Sequence, residues 1–314
     1  MEKKVIMKTP PKICIFIACH KPSFIPDNPI LYPVQVGAAL TDTRLSSMQP
    51  DNEGENISDR NPYYCELTAQ YWAWKNTDCD YYGFFHYRRY LAFDKICDVA
   101  NDGRLQEKHI IPYIDADNVW DDLSKYRLNA GYMQEVIRRY DILTVCRERI
   151  NTSVYRQFCQ YHDSETIDKV LELIRTRHPE YAEAADKYMS SHEVYYMNMY
   201  IMRKEVFNEY MSWLFDILRA YEESCSALEP RIMGFLAERL FGIFYTHKLQ
   251  QGAKCAELRY IKFYNTDPDA VQTLGDIRTF SAGPVKIRID MRRLNKLCPA
   301  GSRRRMLLRS LFVR

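Results

Sequence analysis

Residues Lys12 to Ala18 (KICIFIA) are apolar on both faces of an extended chain, and Tyr81 to Tyr87 (YYGFFHY) is a second run of the same kind. Strands of this kind belong in parallel sheets that carry helices on both faces. Thr41 to Arg60 lies between them and is polar and turn-rich, with Asp51-Asn52-Glu53-Gly54 at its centre. Asn61-Pro62 then predicts a helix start, with Asn as N-cap and Pro in the first turn, running through Tyr71-Trp72-Ala73-Trp74 to Asn76. Strand, loop, helix, strand is the grammar of a doubly wound sheet. Such a sheet binds its ligands beyond the C-terminal ends of its parallel strands. His20 and Lys21 follow the first of those ends, and His86, Arg88 and Arg89 the second.

The stretch Lys21 to Pro33 holds four prolines and reads as a loop, and residues 94–130 read as irregular with short helices. Helical spacing predicts helices over Gly131–Arg139, Ser153–Cys159, Ser164–Arg177, Lys204–Glu222 and Met233–Tyr245. Further strands are predicted over Tyr140–Val145, Glu193–Met202 and Glu257–Phe263. The expected fold is α/β, a mixed sheet flanked by helices with a mainly helical C-terminal part. Hydrophobic residues make up 46% of the chain and charged residues 27%, which excludes disordered and fibrous classes. With only 11 glycines there is no Gly-rich phosphate loop.

No run reaches the roughly 18 apolar residues a bilayer span requires. The opening MEKKVIMKTPPKICIFIACHKP imitates a signal peptide, but its short apolar stretch follows Pro10-Pro11 and ends in His20-Lys21 without a small-residue cleavage site. The expectation is a buried strand in a cytoplasmic protein. Ten cysteines without a CxxC pair or a Cys/His cluster predict scattered free thiols, not disulfides or structural zinc. Charge is unevenly spread. Residues 275–314 carry eleven Lys/Arg against Asp276 and Asp290, a net of +9, which leaves 33 basic and 39 acidic residues, a net of −6, elsewhere. Residues 303–314 (RRRMLLRSLFVR) form a basic amphipathic tail suited to an anionic membrane surface. The acidic body, with no helix-turn-helix or RNA-binding aromatic motif, argues against nucleic acid as a partner.

The segment NISDRNPYYCELTAQYWAWKNTDCDYYGFFHYRRYL, the HKP and PVQVGAAL elements, MNMYIMRKEVFNEYMSWLFDIL and RIMGFLAERLF occur in one order over residues 12 to 250. In this the chain resembles a bacterial family of exopolysaccharide and capsule biosynthesis proteins, described as a domain of unknown function and regarded as glycosyltransferases. The resemblance implies a GT-A-like (Rossmann-like) glycosyltransferase domain over residues 1–255, followed by a C-terminal extension, 256–314, that carries the basic tail. It also implies a nucleotide-sugar donor, and a UDP-linked, galactose-type sugar is the expectation. The implied acceptor is a glycan, lipid-linked on undecaprenyl diphosphate or part of a growing cell-surface polysaccharide, reached from the inner face of the membrane. A non-catalytic nucleotide- or glycan-binding protein of the same fold is the alternative.

GT-A enzymes commonly hold a metal with Asp-x-Asp at the end of the strand that here ends in His86-Tyr87-Arg88. Guanidinium groups pair with phosphate oxygens and can neutralise a leaving diphosphate in the metal's place. Arg88 and Arg89, with His86 orienting the diphosphate, are therefore the expected metal-independent clamp. The literal Asp115-Ala116-Asp117 is the alternative, as a Mn²⁺ or Mg²⁺ site. His20, Lys21, Asp42, Asn56 and Ser58 are further donor-site candidates, by their position near the first strand end and before the predicted helix. A transferase that inverts the anomeric centre needs a carboxylate base. Glu238, an acid in an otherwise apolar helix, is the first candidate and Glu66 the second; an ion pair of Glu238 with Arg239 or Arg231 is the structural alternative. Asn198, Arg203 and Arg231 are the acceptor-side candidates.

Overall fold

In the first strand, β1 (Ile13–Cys19), Ile13, Ile15, Ile17 and Cys19 enter one buried cluster, while Cys14 and Phe16 enter another. This period of two puts a core on each face of the sheet. The structure, a computed structural model, describes residues 10–99, 109–111, 123–263, 277–282, 285–290 and 304. β1 pairs in parallel with β2 (Leu31–Gln35) on one side and with β4 (Tyr81–His86) on the other, and β2 pairs in parallel with the short β3 (Gln49–Pro50). β10 (Tyr200–Arg203) runs antiparallel between β4 and β7 (Ile142–Val145). β7 pairs in parallel with β11 (Cys255–Phe263). β11 also pairs with β5 (Arg89–Asp98), antiparallel, and with β6 (His109–Ile111), parallel. β4 turns into β5 through Tyr87-Arg88, with His86 opposite Arg89.

Pro33 sits inside β2, opposite Ile17, in a stretch expected to be a loop. A proline is tolerated there because β3 pairs only with Val34 and Gln35, leaving the outer edge at Pro33 without a ladder to donate to. β11 lies within the main sheet, so the boundary expected at 255 falls on the first residue of one of its strands. β5 likewise carries strand structure through Asp98, inside the stretch expected to be irregular. Two small pairs stand apart from this sheet: β8 (Glu148–Arg149) with β9 (Glu193–Val194), and β12 (Ile277–Ala282) with β13 (Val285–Asp290).

The predicted helix over 61–76 is two helices, α1 (Asn61–Tyr64) and α2 (Leu67–Asn76), broken at Cys65, whose φ is 51°. α2 covers the Cys14/Phe16 face together with α4 (Val154–Cys159), α5 (Ser164–Arg177), α6 (Ala182–Ser190), α7 (Lys204–Glu223) and α8 (Ile232–Gln250). α3 (Ala130–Ile137) packs Met133, Val136 and Ile137 on the other face. Among the described residues no helix is long and apolar enough to cross a membrane.

One disulfide, Cys14–Cys79, overturns the expectation of free thiols throughout. The parallel register that sets Ile13 opposite Tyr81 brings the two residues together, with their Cα atoms 6.3 Å apart, across 65 residues of sequence. Local spacing carries no trace of such a contact. Cys19, Cys65, Cys146, Cys159, Cys225 and Cys255 are free thiols.

Gly242 lets α8 pass close to α6, because a Cβ there would run into the ring of the buried Tyr188. Alanine gains about 1 kcal/mol in helix propensity over glycine, whereas overpacking an enclosed ring costs about 1–3 kcal/mol. Gly242→Ala is therefore expected to destabilise the protein on balance, seen as a lower urea midpoint. An unchanged or higher midpoint would contradict this α6–α8 packing.

Candidate active site

Even-numbered residues of β4 face the helical layer, and His86, the last, reaches the loop before β10. Its Nε2 lies 2.7 Å from the carbonyl oxygen of Met197. A carbonyl only accepts, so Nε2 carries the proton. Burial depresses the His86 pKa, opposed by the nearby Glu66 carboxylate and reinforced by Arg89 and Arg88. The ring is thus neutral at pH 7, and its Nδ1 keeps a lone pair.

Met197 and Asn198 both have left-handed backbones, with φ of 78° and 48°. Two adjacent side-chain-bearing residues in that region are strained and persist only where their surroundings hold them. The surroundings do so from several sides. Glu238 on α8 accepts from Met197 N–H at 2.7 Å, while His86 donates to Met197 O. Asn198 Nδ2 donates to Glu66 Oε1 at 2.8 Å and to Gly234 O at 3.1 Å, and Gln70 Nε2 donates to Asn198 O at 3.1 Å. Asn198 is 3% exposed, and its Oδ1 is buried without a partner among the described residues. Glu66, Glu238, His86 and Asn198, distant in sequence, thus converge on one turn. The strand expected over Glu193–Met202 is interrupted by that turn.

Glu238 is held by a second partner. Arg239 NH1 donates to its Oε2 at 3.1 Å, although neighbours on a helix do not normally face each other. Arg239 is turned back by α4, where Gln157 Oε1 accepts from its NH2 at 2.6 Å, and by the rings of Phe158 and Tyr196 that flank its guanidinium. Burial raises the Glu238 pKa, and Arg239 opposes the rise. Cys65 packs against Gly234, and burial pushes its pKa up to about 11 while Arg231 opposes the rise. Arg231 is exposed, has φ 66°, and lies over the Phe235 ring.

The second group gathers around Tyr87 at the β4–β5 turn. His20 meets its ring edge-on at 4.9 Å, Lys21 Nζ lies 5.5 Å from its centroid, and the Arg88 guanidinium lies at the same distance. β11 braces the turn: Phe263 N–H donates to Arg88 O at 2.8 Å, and Arg89 pairs with Lys262. Arg88 Nε is buried without a partner among the described residues. The His20 pKa is lowered by burial and by Lys21 and Arg88, and the Arg89 pKa by burial and Arg88. Cations are thus crowded at the C-terminal ends of β1 and β4. Among the described residues no group of three or more His, Cys, Asp or Glu could hold a metal ion, and Asp115 and Asp117 lie outside the described residues.

Other candidates stand elsewhere. Ser58 and the buried Asp51 bond to each other, and the pair caps the 37–39 turn by accepting from Gly37, Ala38 and Ala39 N–H groups at 3.0 Å. Asn56 bonds Gly54 O and Ser58 N, which shapes the loop. Asp42 is exposed in the loop after Leu40. Arg203 pairs with Asp141 beside Tyr81, at the opposite end of β4 from His86, so it does not join the acceptor-side group. Sequence reading missed the hub roles of Tyr87, Met197 and Gln157; the run EVYYMNMYIM gives no sign of a break.

Comparison with curated proteins gives no match. A bifunctional glycosyltransferase, WbbM, solved in its apo form, has 30% sequence identity to this chain and superimposes with a TM-score of 0.72, over 81% of this chain and 46% of that one. The chain spans about half the length of that protein. The family described as "Domain of unknown function (DUF4422)" matches residues 14–250, and the chain belongs to that family.

Proposed function

We propose that the protein is a glycosyltransferase that moves a sugar, galactose-type, from a UDP-linked donor to a glycan acceptor on a lipid carrier or a growing cell-surface polysaccharide. The single observation that carries this reading is the meeting of a cation cluster and two carboxylates at the C-terminal ends of β1 and β4. The likeness to a bifunctional glycosyltransferase supports it. So does a strand order in which parallel β3, β2, β1 and β4 are followed by antiparallel β10 and then β7, an arrangement compatible with a GT-A sheet.

In this reading Lys21, Arg88 and Arg89 hold the donor diphosphate and offset the charge that grows on departing UDP. Arg88 Nε gains an acceptor, which it lacks among the described residues. His20 stands beside the nucleotide. His86 does not fit the expected task of orienting diphosphate, because its proton is committed to Met197 O and its free Nδ1 only accepts. That lone pair suits a sugar hydroxyl. Glu238 takes the proton from the attacking acceptor hydroxyl, since burial makes it a stronger base than an exposed carboxylate. Glu66 orients Asn198 and so the turn that Glu238 grips. Arg231 lies on the acceptor side. Residues 303–314, of which the structure describes Arg304 alone, are assigned to the anionic leaflet that carries a lipid-linked acceptor.

A second reading, a non-catalytic binder, draws on one observation: both Glu238 oxygens are already hydrogen-bonded. UDP release from UDP-galactose in the presence of a glycan acceptor separates the two. Glu238→Gln is expected to lower transfer by roughly 10²–10⁴-fold while UDP binding, followed by calorimetry, stays within twofold. Unchanged turnover removes Glu238 from the chemistry. Glu238 must be ionised to act, so the rate falls as pH drops through its raised pKa. Arg239→Gln removes the opposing charge and moves that acid limb to higher pH, by roughly one unit, and Arg239→Lys largely restores it. A pH profile that does not move would show that Arg239 only fills space. Transfer is also expected to persist in excess EDTA; full loss restored by Mn²⁺ would overturn the guanidinium clamp.

A further inference from the structure

A cavity of about 640 Å³ opens in the helical layer, between the start of α4 and the facing sides of α5 and α6, and it is not part of the site described above. Its size is that of a small-molecule or oligosaccharide site. Its floor is apolar, from Leu171 and Met189, and the Tyr155 ring stands at its side. That ring makes no contact with another ring or a cation among the described residues, while its hydroxyl is fixed by Asp168 at 3.0 Å. Across the cavity Arg175 pairs with Asp186 at 2.8 Å. The Arg156 guanidinium has no partner among the described residues. Asn151, Thr152 and Ser190 add polar atoms to the rim.

The charges identify the class of occupant. Two arginines face two aspartates, so the lining carries no net charge apart from His192 and has no excess of cations to attract a nucleotide or phosphate. An apolar floor, an aromatic side chain in the lining and a rim of donors and acceptors match a neutral sugar, which has apolar C–H faces and a belt of hydroxyls. The cavity also has a structural tie to the candidate base. α4 bears Tyr155 on the cavity side, and Gln157, about 200° further round the helix, holds the Arg239 that holds Glu238.

The geometry points to a second carbohydrate site, which holds units of the acceptor glycan away from the point of transfer. This rests on the reading of the protein as a glycosyltransferase with a glycan acceptor. The test uses the full chain with galactobiose and galactotetraose as probes, followed by saturation-transfer NMR and calorimetry. Galactotetraose is expected to bind the wild type, and Tyr155→Ala and the occluding Thr152→Trp each to weaken binding at least tenfold at a temperature where circular dichroism shows both variants folded. In turnover both variants are expected to raise KM for galactotetraose and to leave UDP release with a monosaccharide acceptor unaltered. Equal affinity in wild type and variants, or no galactotetraose binding to a wild type that turns over UDP-galactose, overturns the proposal. A wild type that binds galactotetraose through this cavity but never releases UDP upholds the site and defeats the transferase reading instead.

Discussion

The hydrogen bonds that clamp the left-handed pair Met197–Asn198 are the constraint on which the candidate site depends. Met197 gives its N–H to Glu238 and takes the His86 proton on its carbonyl, and Asn198 is held by Glu66, Gly234 and Gln70. Each strained residue costs of the order of 1–3 kcal/mol, so the turn exists because β4, α2 and α8 present partners together. Burial, which these bonds oppose, sets the charge states. His86 is kept neutral with one defined tautomer, and Glu238 is buried yet bonded on both oxygens. Cys65 and Arg231, also at positive φ, lie at the same junction. Four of the six non-glycine positive-φ residues described in the chain thus stand around one site, the pattern of a scaffold that stores strain where function is placed.

The cation group is built differently. It needs no strain, only a tight turn between β4 and β5 that presents Tyr87 as a common surface for His20, Lys21 and Arg88. β11 closes the turn from the other side, through Phe263 N–H and the Arg89–Lys262 pairing. The main sheet therefore positions cations through its strand ends and carboxylates through its helices. The two sets meet at His86, which feels Glu66 from one side and Arg88 and Arg89 from the other.

Much of this was legible in the sequence because it follows from short-range pattern. Two-sided apolar strands announce β1 and β4, and the cations that follow them are set by chain direction alone. Glu238 stood out as an acid on an apolar helix. What escaped depends on register between distant segments. The Cys14–Cys79 bond comes from the parallel pairing of β1 with β4, and the placing of Arg203 far from His86 from the antiparallel pairing of β10. Asn56 and Ser58 stand where an anion site was expected, but buried Asp51 takes up the turn they shape. The Met197–Asn198 break lies in a run whose composition is that of a strand, and only tertiary hydrogen bonds override that preference.

We propose that fixed guanidinium groups at the β4–β5 turn do a metal ion's work on the donor diphosphate. A crystal structure with UDP bound in metal-free buffer tests it most directly. The β-phosphate is expected within hydrogen-bonding distance of Arg88 and Arg89, with Lys21 beside it. UDP lodged at another face, or a diphosphate held through a cation on Asp115 and Asp117, would contradict it.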